Sequence, residues 1–157
     1  MGRVVAVTGA NGYIGSHVVQ ILLDRGYHVR AGAREPHNTV RIGHLEEMGS
    51  RYPGQLEILS TDVLEIDDVR KLMSGCSDLI HTAATVMIRA SDPQSKIVNP
   101  SLIGTQNVIA ALKETPSVMT VVHTSSTAAI RPMRWENGAT LTTDTWADDA
   151  TIENNPY

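Results

Sequence analysis

Apolar residues along this chain fall into two alternating patterns. Short runs rich in β-branched residues, at 3–7, 27–33, 56–59, 79–81 and 118–123, are separated by longer stretches whose apolar positions recur at helical spacing. The first run, Arg3-Val4-Val5-Ala6-Val7, is bounded by a glycine-rich segment, as expected of a strand buried on both faces of a parallel sheet. After it Val18, Ile21 and Leu22 form one helical stripe, and Asp24-Arg25-Gly26 supplies a polar last turn and a glycine stop. A second helix is expected over 39–50, with Val40, Leu45 and Met48 inward, and a third over 67–73. A long fourth helix is expected from Asp92-Pro93 to about Lys113, with Val98, Leu102, Thr105, Ile109 and Leu112 on one side. Pro100 lacks an N–H and so belongs near a kink or a first turn. Val118 to His123 reads as a fifth buried strand. Strands alternating with helices predict an α/β fold: a Rossmann-type doubly wound parallel sheet of about five strands.

The turn between the first strand and helix, Thr8-Gly9-Ala10-Asn11-Gly12-Tyr13-Ile14-Gly15, is the strongest chemical signal. Backbone N–H groups and the positive dipole end of a helix suit a pyrophosphate there, and glycine admits close approach because it has no Cβ. Packing between strand and helix also accounts for glycines at such a turn.

At 157 residues the chain fits one domain with a sizeable core, but not a Rossmann domain with a full substrate lobe. The formal charge of −4 comes without a basic stretch, so small metabolites, rather than nucleic acid or a membrane surface, are the expected partners. Neither a signal-like start nor a run of about 18 apolar residues occurs, and the expected location is cytoplasmic. Cys76 is the single cysteine, and the six histidines show no metal-ligand spacing, so no metal is expected.

The second strand ends at Ala33, where a bound dinucleotide would present its adenosine ribose. The next residue is Arg34, which accommodates a 2′-phosphate and favours NADP(H) over NAD. Arg41 fits either a second cation over that phosphate or a solvated helix charge. Glu35 points the other way, because one residue of register would make it the ribose acceptor.

Thr8 ahead of Gly9-x-x-Gly12-x-x-Gly15, together with motifs further on, resembles the extended branch of the short-chain dehydrogenase/reductase superfamily. The resemblance implies cofactor contact at Gly9, Gly12, Tyr13, Ile14 and Gly15. It also implies adenine contact at Asp62-Val63 after the third strand, although Asp62 equally suits a helix N-cap. Thr82-Ala83-Ala84-Thr85 looks like the small-residue segment that lines the cofactor ribose and nicotinamide in that branch. His81 before it reads as a packed histidine behind the site rather than a proton carrier.

The run from Asn99 to Val108 resembles the branch's Asn-x-x-Gly-Thr-x-Asn-Val stretch. Ser101 stands where many members carry a catalytic Asn, a departure shared with the dihydroflavonol reductase and cinnamoyl-CoA reductase group. Thr124-Ser125-Ser126 implies cofactor contact at the first two positions and a hydrogen bond from Ser126 to the substrate oxygen. Tyr157 matches the tyrosine of Tyr-x-x-x-Lys, the proton carrier of the family; its Lys and the substrate lobe are not in this sequence.

The resulting expectation is an NADP(H)-binding Rossmann domain over 1–157, with 129–157 a substrate-side loop leading to Tyr157. It would be the cofactor-binding part of a carbonyl/alcohol oxidoreductase, inactive alone. A sugar-nucleotide epimerase or dehydratase of the same branch, or a non-catalytic NADP-binding sensor or scaffold, are the alternatives.

Overall fold

The computed structural model describes residues 2–85, 90–134, 138–151 and 154. Five strands, β1 (Val4–Thr8), β2 (His28–Ala33), β3 (Leu56–Ser60), β4 (Asp78–His81) and β5 (Thr120–His123), form one parallel sheet in the order β3-β2-β1-β4-β5. Between them run α1 (Tyr13–Asp24), α2 (Thr39–Arg51), α3 (Ile66–Met73) and α4 (Asn99–Glu114), and a single-turn α5 (Thr127–Ile130) follows β5.

Alternation along β1 divides the core in two. Val5 and Val7 pack with Val19, Leu22 and Leu23 of α1 and Leu45 of α2. Ala6 faces the other way, towards Val69, Leu72 and Met73 of α3 and Val108 and Ala111 of α4. The sheet is therefore covered on both faces, the doubly wound arrangement expected, and its order reverses between β1 and β4. Thr8 lies in register with Gly32 on one side and His81 on the other, so the carboxyl ends of three strands finish level.

Four expectations need correcting. Val40 is 94% exposed, and α2 buries Ile42 and Leu45 instead. Two residues rotate a helix by roughly 200°, so Val40 and Ile42 cannot share a face. The fourth helix comes in two pieces, a π-helical turn over Gln94–Val98 and then α4, with Pro100 in the first turn of the latter. The buried stripe of α4 is Gly104, Val108 and Ala111, while Leu102 and Ile109 are exposed. A Cβ on Gly104 would stand 3.0 Å from Val63 Cγ2, so the helix docks on its small-residue side. Finally, β5, expected as a buried strand, is exposed at all four positions: it pairs with β4 alone, and among the described residues neither core cluster reaches it.

The α2 reading has a direct check. Ile42→Val is expected to cost about 0.5–1.5 kcal/mol by thermal unfolding, and Val40→Asn to stay within about 0.5 kcal/mol of wild type. A larger loss at Val40 than at Ile42 would overturn the assignment.

Candidate functional site

The carboxyl ends of the strands open onto a cleft of about 400 Å³. Nine of the expected cofactor contacts meet there: Gly9 and Gly12 from the first turn, Arg34 after β2, Asp62 and Val63 after β3, Ala83, Ala84 and Thr85 after β4, and Thr124 after β5; His81 and Ser101 line it as well. Tyr13, Ile14, Gly15, Arg41, Ser125 and Ser126 are not among the lining residues. Tyr157 lies outside the described residues.

The first turn is shaped by backbone contact. Gly9 takes a φ of 65°, and its carbonyl accepts from Gly12 N at 3.0 Å. A Cβ on Gly9 would lie 2.9 Å from both N and Cα of Ala83, and one on Gly15 would lie 2.1 Å from Gly9 O. Gly12 caps α1 without a side chain, and no acidic residue stands in the first turn. An anion there would meet helix N–H groups with no competing carboxylate on that turn.

At the end of β2 the charges are sorted. Both carboxylate oxygens of Glu35 are engaged, Oε1 by Arg41 Nη1 at 3.2 Å and Oε2 by Asn38 Nδ2 at 3.0 Å. Arg34 lines the cleft and forms no ion pair among the described residues. Arg41, by contrast, is spent on Glu35 in this arrangement.

After β3 the Asp62 carboxylate accepts from Leu64 N at 3.0 Å, whereas α3 is capped at Glu65 without a side-chain bond. Asp62 is thus a turn former and not the cap of α3. Asn107 of α4 donates to Val63 O at 3.0 Å and Leu64 O at 2.8 Å, fastening this loop from outside. In the Gly104–Asn107 stretch the glycine lets α4 approach Val63 and the asparagine clasps the loop.

Thr8 and His81 link β1 to β4 at the floor. Both are buried, with Thr8 Oγ1 2.6 Å from His81 Nδ1. The same Thr8 oxygen accepts from Thr82 N and Ala83 N, each at 3.2 Å. Burial, and then the neighbouring His123, push the His81 imidazole down to about 4. The rings of His81 and His123 stack at 5.0 Å and 28°. His123, which also lines the cleft, was missed from sequence. Its place directly before the hydroxyl run is visible in the sequence, whereas its pairing in register with His81 is visible only in the sheet.

That run is open to solvent. Thr124 N donates to His81 O at 3.0 Å, extending the β4–β5 pairing by one residue. Ser126 Oγ accepts from Ala128 N at 3.1 Å and so caps α5, leaving its hydroxyl hydrogen available to another acceptor.

The model of the NAD dependent epimerase/dehydratase family matches residues 5–154. The chain belongs to that family. Among its relatives, the cinnamoyl-CoA reductase CAD2 of Medicago truncatula is 37% identical over 155 residues, which is 96% of this chain and 46% of the relative. Cinnamoyl-CoA reductase 1 of Petunia hybrida is 40% identical over 129 residues, 82% of this chain and 37% of the relative. Among solved structures, yeast methylglyoxal/isovaleraldehyde reductase Gre2 complexed with NADPH superposes with a TM-score of 0.78 at 28% identity, covering 98% of this chain and 46% of that one. The chain thus spans less than half the length of these relatives. No helix among the described residues is long and apolar enough to cross a membrane.

Proposed function

We propose that this chain binds NADP(H) and forms the cofactor-binding part of a reductase acting on a small carbonyl or alcohol. The supporting observation is the charge arrangement after β2: Arg34 lines the cleft and has no ion pair among the described residues, while Glu35 is held by Arg41 and Asn38. A 2′-phosphate would find a guanidinium there, and the Glu35 carboxylate that a 2′-OH would need is already taken up by Arg41 and Asn38. The start of α1, with no side-chain cap, and the contact-distance packing of Gly9 on Ala83 fit the pyrophosphate and the ribose beyond it.

When bound, the nicotinamide supplies the hydride. Ser126, whose oxygen already accepts from Ala128 N, donates its hydroxyl hydrogen to the substrate oxygen and orients it. Tyr157 is the proposed proton carrier, on the strength of its Asn-Pro-Tyr sequence. The Gre2 structure is a complex with NADPH, and two of the relatives are cinnamoyl-CoA reductases, which supports a reductase reading.

Fluorescence titration of NADPH and NADH tests the cofactor assignment. NADPH is expected to bind at least about tenfold more tightly, and Arg34→Ala to remove that preference with little effect on NADH. Equal affinities in the wild type, or tighter NADH, would overturn it.

A further inference from the structure

The Thr8 hydroxyl has one hydrogen and two lone pairs. Thr82 N and Ala83 N both donate to its oxygen, which occupies the lone pairs. The hydrogen is left for the remaining neighbour, His81 Nδ1 at 2.6 Å. Nδ1 is therefore an acceptor carrying no proton, and the ring's one N–H is at Nε2. A proton added at Nδ1 would enter a contact already filled by the hydroxyl hydrogen. From β5 the stacked His123 ring would face the new charge, and no carboxylate among the described residues offsets it.

We infer that His81 is a positioning residue: as the Nε2–H tautomer it takes the Thr8 hydroxyl hydrogen, which turns the oxygen's lone pairs towards the Thr82 and Ala83 amides and fixes them beside Gly9. The geometry makes this orientation consequential. Ala83 N and Cα stand 2.9 Å from where a Gly9 Cβ would be, so the first turn and the wall after β4 touch at this point. Thr82 Oγ1 adds a return bond to Thr8 O at 2.6 Å. With no acceptor at Nδ1, the Thr8 hydrogen would swing towards the amides and displace one of them. The wall would then loosen where a dinucleotide passes from pyrophosphate to ribose, a consequence that rests on the cofactor reading above.

Long-range ¹H–¹⁵N spectra of the nucleotide-free protein at pH 7 read the tautomer directly. His81 is expected to show a protonated Nε2 and a bare Nδ1, and Thr8→Val to abolish that single form. His81→Leu is expected to speed Ala83 amide exchange and weaken NADPH binding by about tenfold each, one hydrogen bond's worth. His81→Asn, whose side-chain oxygen stands near the place of Nδ1 and accepts the same hydroxyl, should restore both to within about twofold. A space-filling histidine would give mixed tautomers and be replaced as well by Leu as by Asn; either result overturns the inference. If the Leu and Val variants do not fold, the wild-type tautomer decides alone. Should the wild type bind neither nucleotide, the cofactor reading falls, while the tautomer and Ala83 exchange still decide the role of His81.

Discussion

Gly15→Ala is expected to abolish nucleotide binding and to cost about 3 kcal/mol or more in thermal unfolding. The added methyl would lie 2.1 Å from Gly9 O, 2.8 Å from Gly9 C and 2.9 Å from Ala10 Cα. All three are backbone atoms, so no rotamer change relieves the clash; the turn itself has to move. Movement there separates Gly9 from Ala83 and misdirects the N–H groups at the start of α1. The same substitution in the interior of α2 has the opposite sign. Gly43 has nothing within 4 Å of its would-be Cβ, and Gly43→Ala should gain up to about 1 kcal/mol from helix propensity. A Gly15→Ala protein with wild-type melting temperature and wild-type NADPH affinity would refute the close-packed turn.

Acid should destabilise the protein chiefly through His81, by up to about 3 kcal/mol between pH 7 and pH 4. The folded imidazole titrates at about 4, against 6.5 for the unfolded chain. Between those values the unfolded chain holds the proton and the folded one does not, so stability is full above 6.5 and declines as pH falls towards 4. The groups facing the ring are the Thr8 hydroxyl from β1 and His123 from β5, and neither stabilises a cation. Asp78 adds a further loss at lower pH. Burial would raise its carboxyl, but hydrogen bonds from Ser77, Arg3 and Thr120 outweigh that and hold it below the ordinary range. Its contribution therefore disappears as pH falls through that lowered value. Urea unfolding at several pH values checks the assignment: His81→Asn, which cannot charge, should flatten the decline above pH 4. Parallel curves for the variant and the wild type would reject it.

Much of this arrangement is legible in the sequence, for identifiable reasons. Val5, Ala6 and Val7 mark a strand buried on both sides because every position is apolar, and the structure places β1 within one residue of that run. Arg34 can be read because it directly follows β2, where position alone brings it to the cleft. The face of α4 could not be read in the same way. Hydropathy counts Leu102 and Ile109 as core and gives Gly104 no weight, yet closeness to Val63 decides which side docks. The Asn107 clasp depends on a partner 44 residues earlier, and no local pattern encodes such a contact. Glu35 was the ambiguous residue, and its side-chain partners show the orientation that spacing left open.

The exposed β5 strand bears on how the two ends of the cleft respond to stress. Val5, Ala6 and Val7 are no more than 3% exposed, so β1 amides should exchange with solvent only when the whole domain unfolds. Thr120–His123 are exposed throughout and paired on one side alone, so β5 amides should exchange by local opening at far lower free energy. The hydroxyls of Thr124, Ser125 and Ser126 are attached to that weakly protected strand, whereas Gly9 and Gly12 follow directly from the best protected one. The end of the cleft that would meet substrate can therefore fluctuate while the turn through Gly9 and Gly12 keeps its shape.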